Sequence, residues 1–190
     1  LPEDVVLQFQ TGDATADASD TWLRIYTEFQ EAYVGDAVSV PFSRSGGAVS
    51  ASSTVSVTGY RLTEDEAAQF LAKRLPYSYS FGSTDNLGQY KDIAKTEAFK
   101  ADLPIFRPSE RDNELVTLPK FTEQGWYIVR LASGPGEAWM FVQVTNVASY
   151  VVADKDQLVV WAVNVETKQP LSSLPIRMDG GQAYLTDAAD

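Results

Sequence analysis

Gly125-Trp126-Tyr127-Ile128-Val129-Arg130-Leu131-Ala132-Ser133-Gly134-Pro135-Gly136-Glu137-Ala138-Trp139-Met140-Phe141-Val142-Gln143-Val144 is the stretch that decides the fold. Aromatic and β-branched residues crowd both of its arms, and such side chains fit a pleated, half-buried surface. Ser133-Gly134-Pro135-Gly136-Glu137 breaks the run in the middle. A short glycine-containing break between two such arms predicts an antiparallel hairpin. The glycines open no helix, so they form a turn and not a phosphate-binding loop.

Towards the N-terminus the same signal recurs. Val5-Val6-Leu7-Gln8-Phe9 is a short apolar strand, followed by a loop over residues 11–20. In Thr21-Trp22-Leu23-Arg24-Ile25-Tyr26-Thr27, Leu23 and Ile25 face one way and Trp22, Arg24 and Tyr26 the other. Val38, Val40 and Phe42 share a face of the next strand. Pro41 cannot donate to a ladder, which places that strand at an edge or ends it. Val55-Ser56-Val57-Thr58-Gly59-Tyr60 alternates again. Period-2 alternation describes a sheet with one buried face and one wet one.

Residues 62–112 interrupt this pattern. Thr63-Glu64-Asp65-Glu66 has the order of a capping box, with Thr63 as N-cap and Glu66 reaching back to it. The three acids suit the positive end of a helix dipole and need no chemical role. Ala67, Phe70, Leu71 and Leu75 then fall at helical spacing, and Pro76 stops the helix. The aromatic run Tyr77–Phe81 connects it to a second helix expected from about Gln89 to Lys100, burying Tyr90, Ile93 and Ala94. Pro104 and Pro108 return the chain to an extended form. Loops inserted in sandwiches often carry function, so a protein-docking role for the Tyr77–Phe81 run stands beside plain packing.

Strand signals resume at Glu114-Leu115-Val116-Thr117-Leu118 and, beyond the hairpin, at Val151-Val152, Leu158–Val163, Pro175–Met178 and Ala183–Leu185. Turn residues separate them at the spacing of a β-sandwich. The expected fold is mainly β: an antiparallel sandwich with a short helical insert, followed by part of a second sandwich.

Composition narrows the function. The 190 residues are 44% hydrophobic and 22% charged, enough to bury a core in one or two domains. Cys and His are both absent. That removes disulfides, Cys-ligated metal centres, a Cys nucleophile and imidazole catalysis. A net charge of −11 disfavours nucleic acid, whose phosphates need a basic surface. No stretch approaches the roughly 20 apolar residues that span a bilayer, and residues 1–20 lack the apolar centre of a signal peptide. Asp13, Asp17 and Asp20, and Asp154 with Asp156, lack the ligand order of a calcium loop. No motif places two carboxylates as a glycosidase pair. Trp22, Trp126, Trp139 and Trp161 are expected in the core. Catalytic, cofactor and metal residues are therefore all expected to be none.

Gly125-Trp126-Tyr127-Ile128-Val129, then Phe141-Val142-Gln143-Val144-Thr145-Asn146-Val147, resembles the last strands of a macroglobulin domain running into the next. Gln157-Leu158-Val159-Val160-Trp161-Ala162-Val163-Asn164-Val165-Glu166-Thr167-Lys168-Gln169-Pro170-Leu171 looks like the strand and T-G-K-P segment of bacterial alpha-2-macroglobulins. Thr186-Asp187-Ala188 looks like the T-D-A-G turn that follows it. Here Thr167-Lys168 lacks the usual intervening Gly, Gln169 stands where Lys or Ala is frequent, and Ala189-Asp190 stands where Gly is common. The resemblance covers residues 120–190, with the rest alike only in strand order.

The resemblance implies a macroglobulin/immunoglobulin-like sandwich over residues 1–147 carrying the insert 62–112, and residues 148–190 as the start of a second such domain. It implies a non-enzymatic, structural part of a protease trap in the periplasm or outside the cell. The partners would be other domains of the same chain and, through the parent protein, proteases. A lipid upstream of Leu1 would be the route to a membrane. With no Cys, the family's thioester is not in this chain. The alternative is a carbohydrate- or surface-binding sandwich module of an extracellular protein.

Overall fold

The computed structural model describes residues 22–45, 53–74, 91–109, 113–155, 158–177 and 183–185. The strand expected at Val5–Phe9, the loop 11–20, the Tyr77–Phe81 run and the turn at Thr186 lie outside them. The strands are β1 (Trp22–Ile25), β2 (Phe29–Ala32), β3 (Ser39–Ser45), β4 (Thr54–Leu62), β5 (Thr96–Phe106), β6 (Glu114–Thr117), β7 (Gly125–Ser133), β8 (Gly136–Val144), β9 (Val147–Ala153), β10 (Leu158–Asn164), β11 (Pro175–Arg177) and β12 (Ala183–Leu185). One longer helix, α1 (Glu64–Arg74), follows β4, and residues 91–93 are helical before β5.

Eight strands form one sheet in the order β1-β3-β6-β5-β4-β7-β8-β2. The sheet curls until β1 lies against β8, so close that a Cβ on Gly136 would sit 3.2 Å from the Leu23 nitrogen. Leu23, Val40, Phe42, Val57, Val116, Val129, Leu131, Met140 and Val142 fill the space enclosed. The alternation read in the sequence is what aims them inward.

The β7–β8 hairpin pairs from Gly125↔Val144 to Ser133↔Gly136. Gly134, first of its two turn residues, has φ +57, which mirror-image hairpin turns require. This hairpin is buried on both faces. Tyr127, Val129 and Leu131 look into the main core, while Ile128, Trp139 and Phe141 lie in a second cluster with Leu62, Ala67 and Phe70. Its near-continuous apolar run reflects two covers rather than one.

The capping box forms as expected. The Thr63 amide donates to Glu66 Oε2 at 2.9 Å and the Glu66 amide donates to Thr63 Oγ1 at 3.2 Å. The bonds that the Thr63 amide and hydroxyl donate to the Glu66 carboxylate hold it below its ordinary pKa, against a smaller opposing effect of burial. Thr63→Ala should cost about 1 kcal/mol. Urea melts of the two proteins check this, and identical midpoints would mean the helix draws nothing from its cap.

Two expectations change, and one strand is new. The helix read from Gln89 to Lys100 ends by residue 93, and Thr96–Phe106 is β5, paired with β4 from Arg61↔Thr96 to Thr54↔Pro104. The helical excursion therefore closes at residue 95, and β5 lies between β4 and β6. Pro41 sits inside β3, which has β1 on one side and β6 on the other. Its carbonyl accepts from the Tyr26 amide at 3.2 Å, so its missing N–H faces the end of β1 and costs the β6 ladder nothing. Finally, β2 was not foreseen, and it pairs parallel to β8, Phe29 opposite Phe141.

Candidate functional site

The polar features come first, because chemistry would need them. Arg44 and Glu114 form an ion pair whose side chains are only 2% and 6% exposed. Arg44 Nε donates to Glu114 Oε2 at 2.7 Å, one terminal nitrogen donates to Oε1 at 3.3 Å, and the other donates to Ser133 Oγ at 3.0 Å. Arg107, half-exposed, also donates to Glu114 Oε1. Burial pushes the Glu114 carboxyl up, but the hydrogen bonds and charges of Arg44 and Arg107 outweigh it and hold it below the ordinary value. Glu137 is alike: burial raises it, and Lys91 and Arg130 bring it below its ordinary value. A general acid at neutral pH needs the opposite shift. Neither Glu114 nor Glu137 has it.

The sign of that shift fixes a pH dependence. A carboxyl lowered by folding contributes stability that is present above its unfolded value, about 4.3 for Glu, and lost as pH falls through the folded value. Stability should decline as the protein is acidified below that range. Glu114→Gln, less stable at neutral pH, should show a flatter decline. Urea midpoints from pH 7 to pH 3 check this, and parallel curves would remove Glu114 as a source.

A cleft of about 750 Å³ opens where β4 and β8 end and β7 begins, with Leu174 and Pro175 on its wall. Arg61, Thr63, Gln124, Trp126, Thr145 and Leu174 are among its walls. Its cation is already engaged: Arg61 pairs with Glu123 and donates to the Gln124 carbonyl at 3.2 Å.

The exposed apolar surface lies beyond it. Trp161 stands directly opposite Tyr150, and Val159 opposite Val152, on one face of the β9–β10 hairpin. Trp161 is 53% and Tyr150 66% exposed. Val151 and Leu158 are exposed on the other face. Along the outer side of β10 the chain returns after a turn. The Asn164 amide donates to the Gln169 carbonyl at 3.0 Å, and the Leu171 amide to the Ala162 carbonyl at 2.9 Å. Asn164 Oδ1 accepts from the Glu166 and Thr167 amides in that turn, and Lys168 takes φ +60 there. That is a conformation glycine favours, and it falls where the resemblance noted a missing Gly. Contiguous exposed apolar patches of this kind mark interaction sites for protein, ligand or membrane.

The sequence placed all four tryptophans in the core. Trp139 is buried and Trp126 half-buried, but Trp161 and Trp22 stand out in solvent. Trp22 lies on the outer face of β1, where alternation put it, and is exposed there. Asp154 belongs to no cluster of three acidic side chains among the described residues.

No family model matches the chain. No curated protein matches it by sequence either. Solved structures do. A fragment of native alpha-2-macroglobulin from Escherichia coli spanning domains MG0-NIE-MG1 superposes with a TM-score of 0.59 at 11% identity, covering 89% of this chain and 55% of that one. A shorter fragment spanning NIE-MG1 gives 0.59 at 11% identity over 91% of this chain and 86% of that one. The chain thus spans about half of the longer fragment. At this identity the likeness is one of architecture: the chain has the fold of the NIE-MG1 region of a bacterial alpha-2-macroglobulin.

Proposed function

We propose that this chain is a non-catalytic piece of the shell of an alpha-2-macroglobulin-like protease inhibitor, working in the periplasm or outside the cell. The observation that carries the reading is the superposition on NIE-MG1 over nine-tenths of the chain. In this reading residues 1–147 form one macroglobulin-like unit and residues 148–190 begin a second. The apolar face around Trp161 and Tyr150 then packs against further strands of the same parent chain. Proteases meet the parent protein and not this segment, and a lipid upstream of Leu1 would tether it to a membrane.

The test uses the parent chain. Incubated with a panel of proteases, it should leave a trapped enzyme that still cleaves small peptides but no longer cleaves large proteins. A parent chain that leaves every protease fully active on large substrates would sink the proposal. The carbohydrate-binding rival rests on the exposed rings of Trp22 and Tyr26. The guanidinium of Arg24 already lies over the Tyr26 ring at 5.8 Å, leaving a poorer stacking platform. Glycan binding lost on Trp22→Ala would favour that rival.

A further inference from the structure

Strand β5 is eleven residues long, and its two edges differ. One edge pairs with β4 along residues 96–104, whereas the other meets β6 only at Ile105 and Phe106. The Ile105 amide donates to the Ser53 carbonyl at 2.9 Å. The backbone groups of Ile105, Leu103 and Ala101 therefore face β4, and those of Pro104, Asp102 and Lys100 face outward, since direction alternates along a strand. Before Pro104, no strand among the described residues is paired with that outward edge. Pro104, which has no N–H to lose, sits on the open side, as a proline in a strand must.

We infer that this edge pairs antiparallel with the same edge of a second copy of the chain, about a two-fold axis at Ala101. The side chains select this register. With Ala101 opposite its own counterpart, Lys100 faces Asp102 of the second copy on the outer face, and Asp102 faces Lys100. On the inner face Phe99 and Leu103 stay packed on the core of their own copy, the Phe99 ring over Gly59, and bring no charge to the seam. Centring on Asp102 or Lys100 would instead set like charges against each other, which disfavours pairing. Backbone parity agrees, because Lys100 and Asp102 carry the outward-facing groups and would exchange hydrogen bonds in both symmetric pairs. The β-bulge at Gly59/Tyr60, which leaves Ala98 out of register, and Pro104 bracket the ladder. The contact is self-complementary and closed, as a two-fold interface requires. It does not depend on the protease-trap reading.

Sedimentation of the 190-residue chain should show a dimer fraction that grows with concentration. Lys100→Asp alone, or Asp102→Lys alone, should weaken it about tenfold by placing like charges opposite each other twice. The double exchange Lys100→Asp with Asp102→Lys should restore it, because the opposite pairs are regenerated only in this register. Ala101→Cys gives the chain a single thiol, expected at the dimer axis within disulfide reach of its twin. It should oxidise to a covalent dimer faster than a cysteine placed at Thr117. A chain that stays monomeric at high concentration overturns the inference. So does a dimer indifferent to either single charge reversal, or one that the double exchange fails to restore.

Discussion

Glu114→Ala should cost about 3–5 kcal/mol, the range for removing one partner of a buried ion pair. The substitution leaves the Arg44 guanidinium in the interior, 2% exposed, with its carboxylate gone. The pair itself need not be a net gain, because removing two charges from water is costly. The expected ordering follows. Glu114→Ala and Arg44→Ala should each be worse than the double change Arg44→Met with Glu114→Leu, which removes both charges and refills the volume. Denaturant titrations of the three variants check it. A loss below about 1 kcal/mol for Glu114→Ala would mean that water reaches Arg44 once the carboxylate is removed.

Phe70→Ala should be similarly damaging, about 3–5 kcal/mol. Phe70 is 4% exposed, and its ring stacks on Phe141 with centroids 4.9 Å apart. Phe141 in turn meets Phe29 at 5.8 Å and Trp126 at 5.4 Å. Truncation opens a cavity among rings that belong to β2, β7 and β8, so the loss should reach the sheet and not stay in the helix. Hydrogen exchange separates these outcomes. Faster exchange in β7 and β8 as well as α1 is expected. Faster exchange confined to residues 64–74, with an unchanged global melt, would make α1 a detachable cover.

The parts of this fold that the sequence reveals are those where local preference and tertiary demand agree. The β7–β8 hairpin has strand-forming side chains on both arms and a turn that needs Gly134, and Thr63–Glu66 is a self-contained hydrogen-bonded box. Strand β5 was hidden because Glu97, Ala98, Lys100 and Ala101 are favourable helix residues. Pairing with β4 overrides that preference, and the period-2 burial of Phe99, Ala101, Leu103 and Ile105 emerges only with it. Strand β2 was hidden likewise, since Phe29-Gln30-Glu31-Ala32 has no alternation and its ladder is made with the distant β8. The Arg44–Glu114 pair joins residues 70 apart in sequence, beyond the reach of any local pattern. The exposed Trp161 and Tyr150 look like core residues because alternation and apolarity report that a face wants cover, not whether this segment supplies it.

The doubly covered β7–β8 hairpin also sets the order in which the chain gives way. Amide hydrogens exchange through local openings, and the segments that open last carry protection equal to the full unfolding free energy. Opening this hairpin means lifting it from the sandwich interior and from α1 at once, whereas β9 is exposed over most of its length and β10 at Leu158, Val159 and Trp161. A protease or a denaturant should therefore loosen the segment after Val144 while residues 125–144 stay closed. A pull on both ends of the chain should be resisted longest by the hydrogen bonds from Gly125↔Val144 to Ser133↔Gly136.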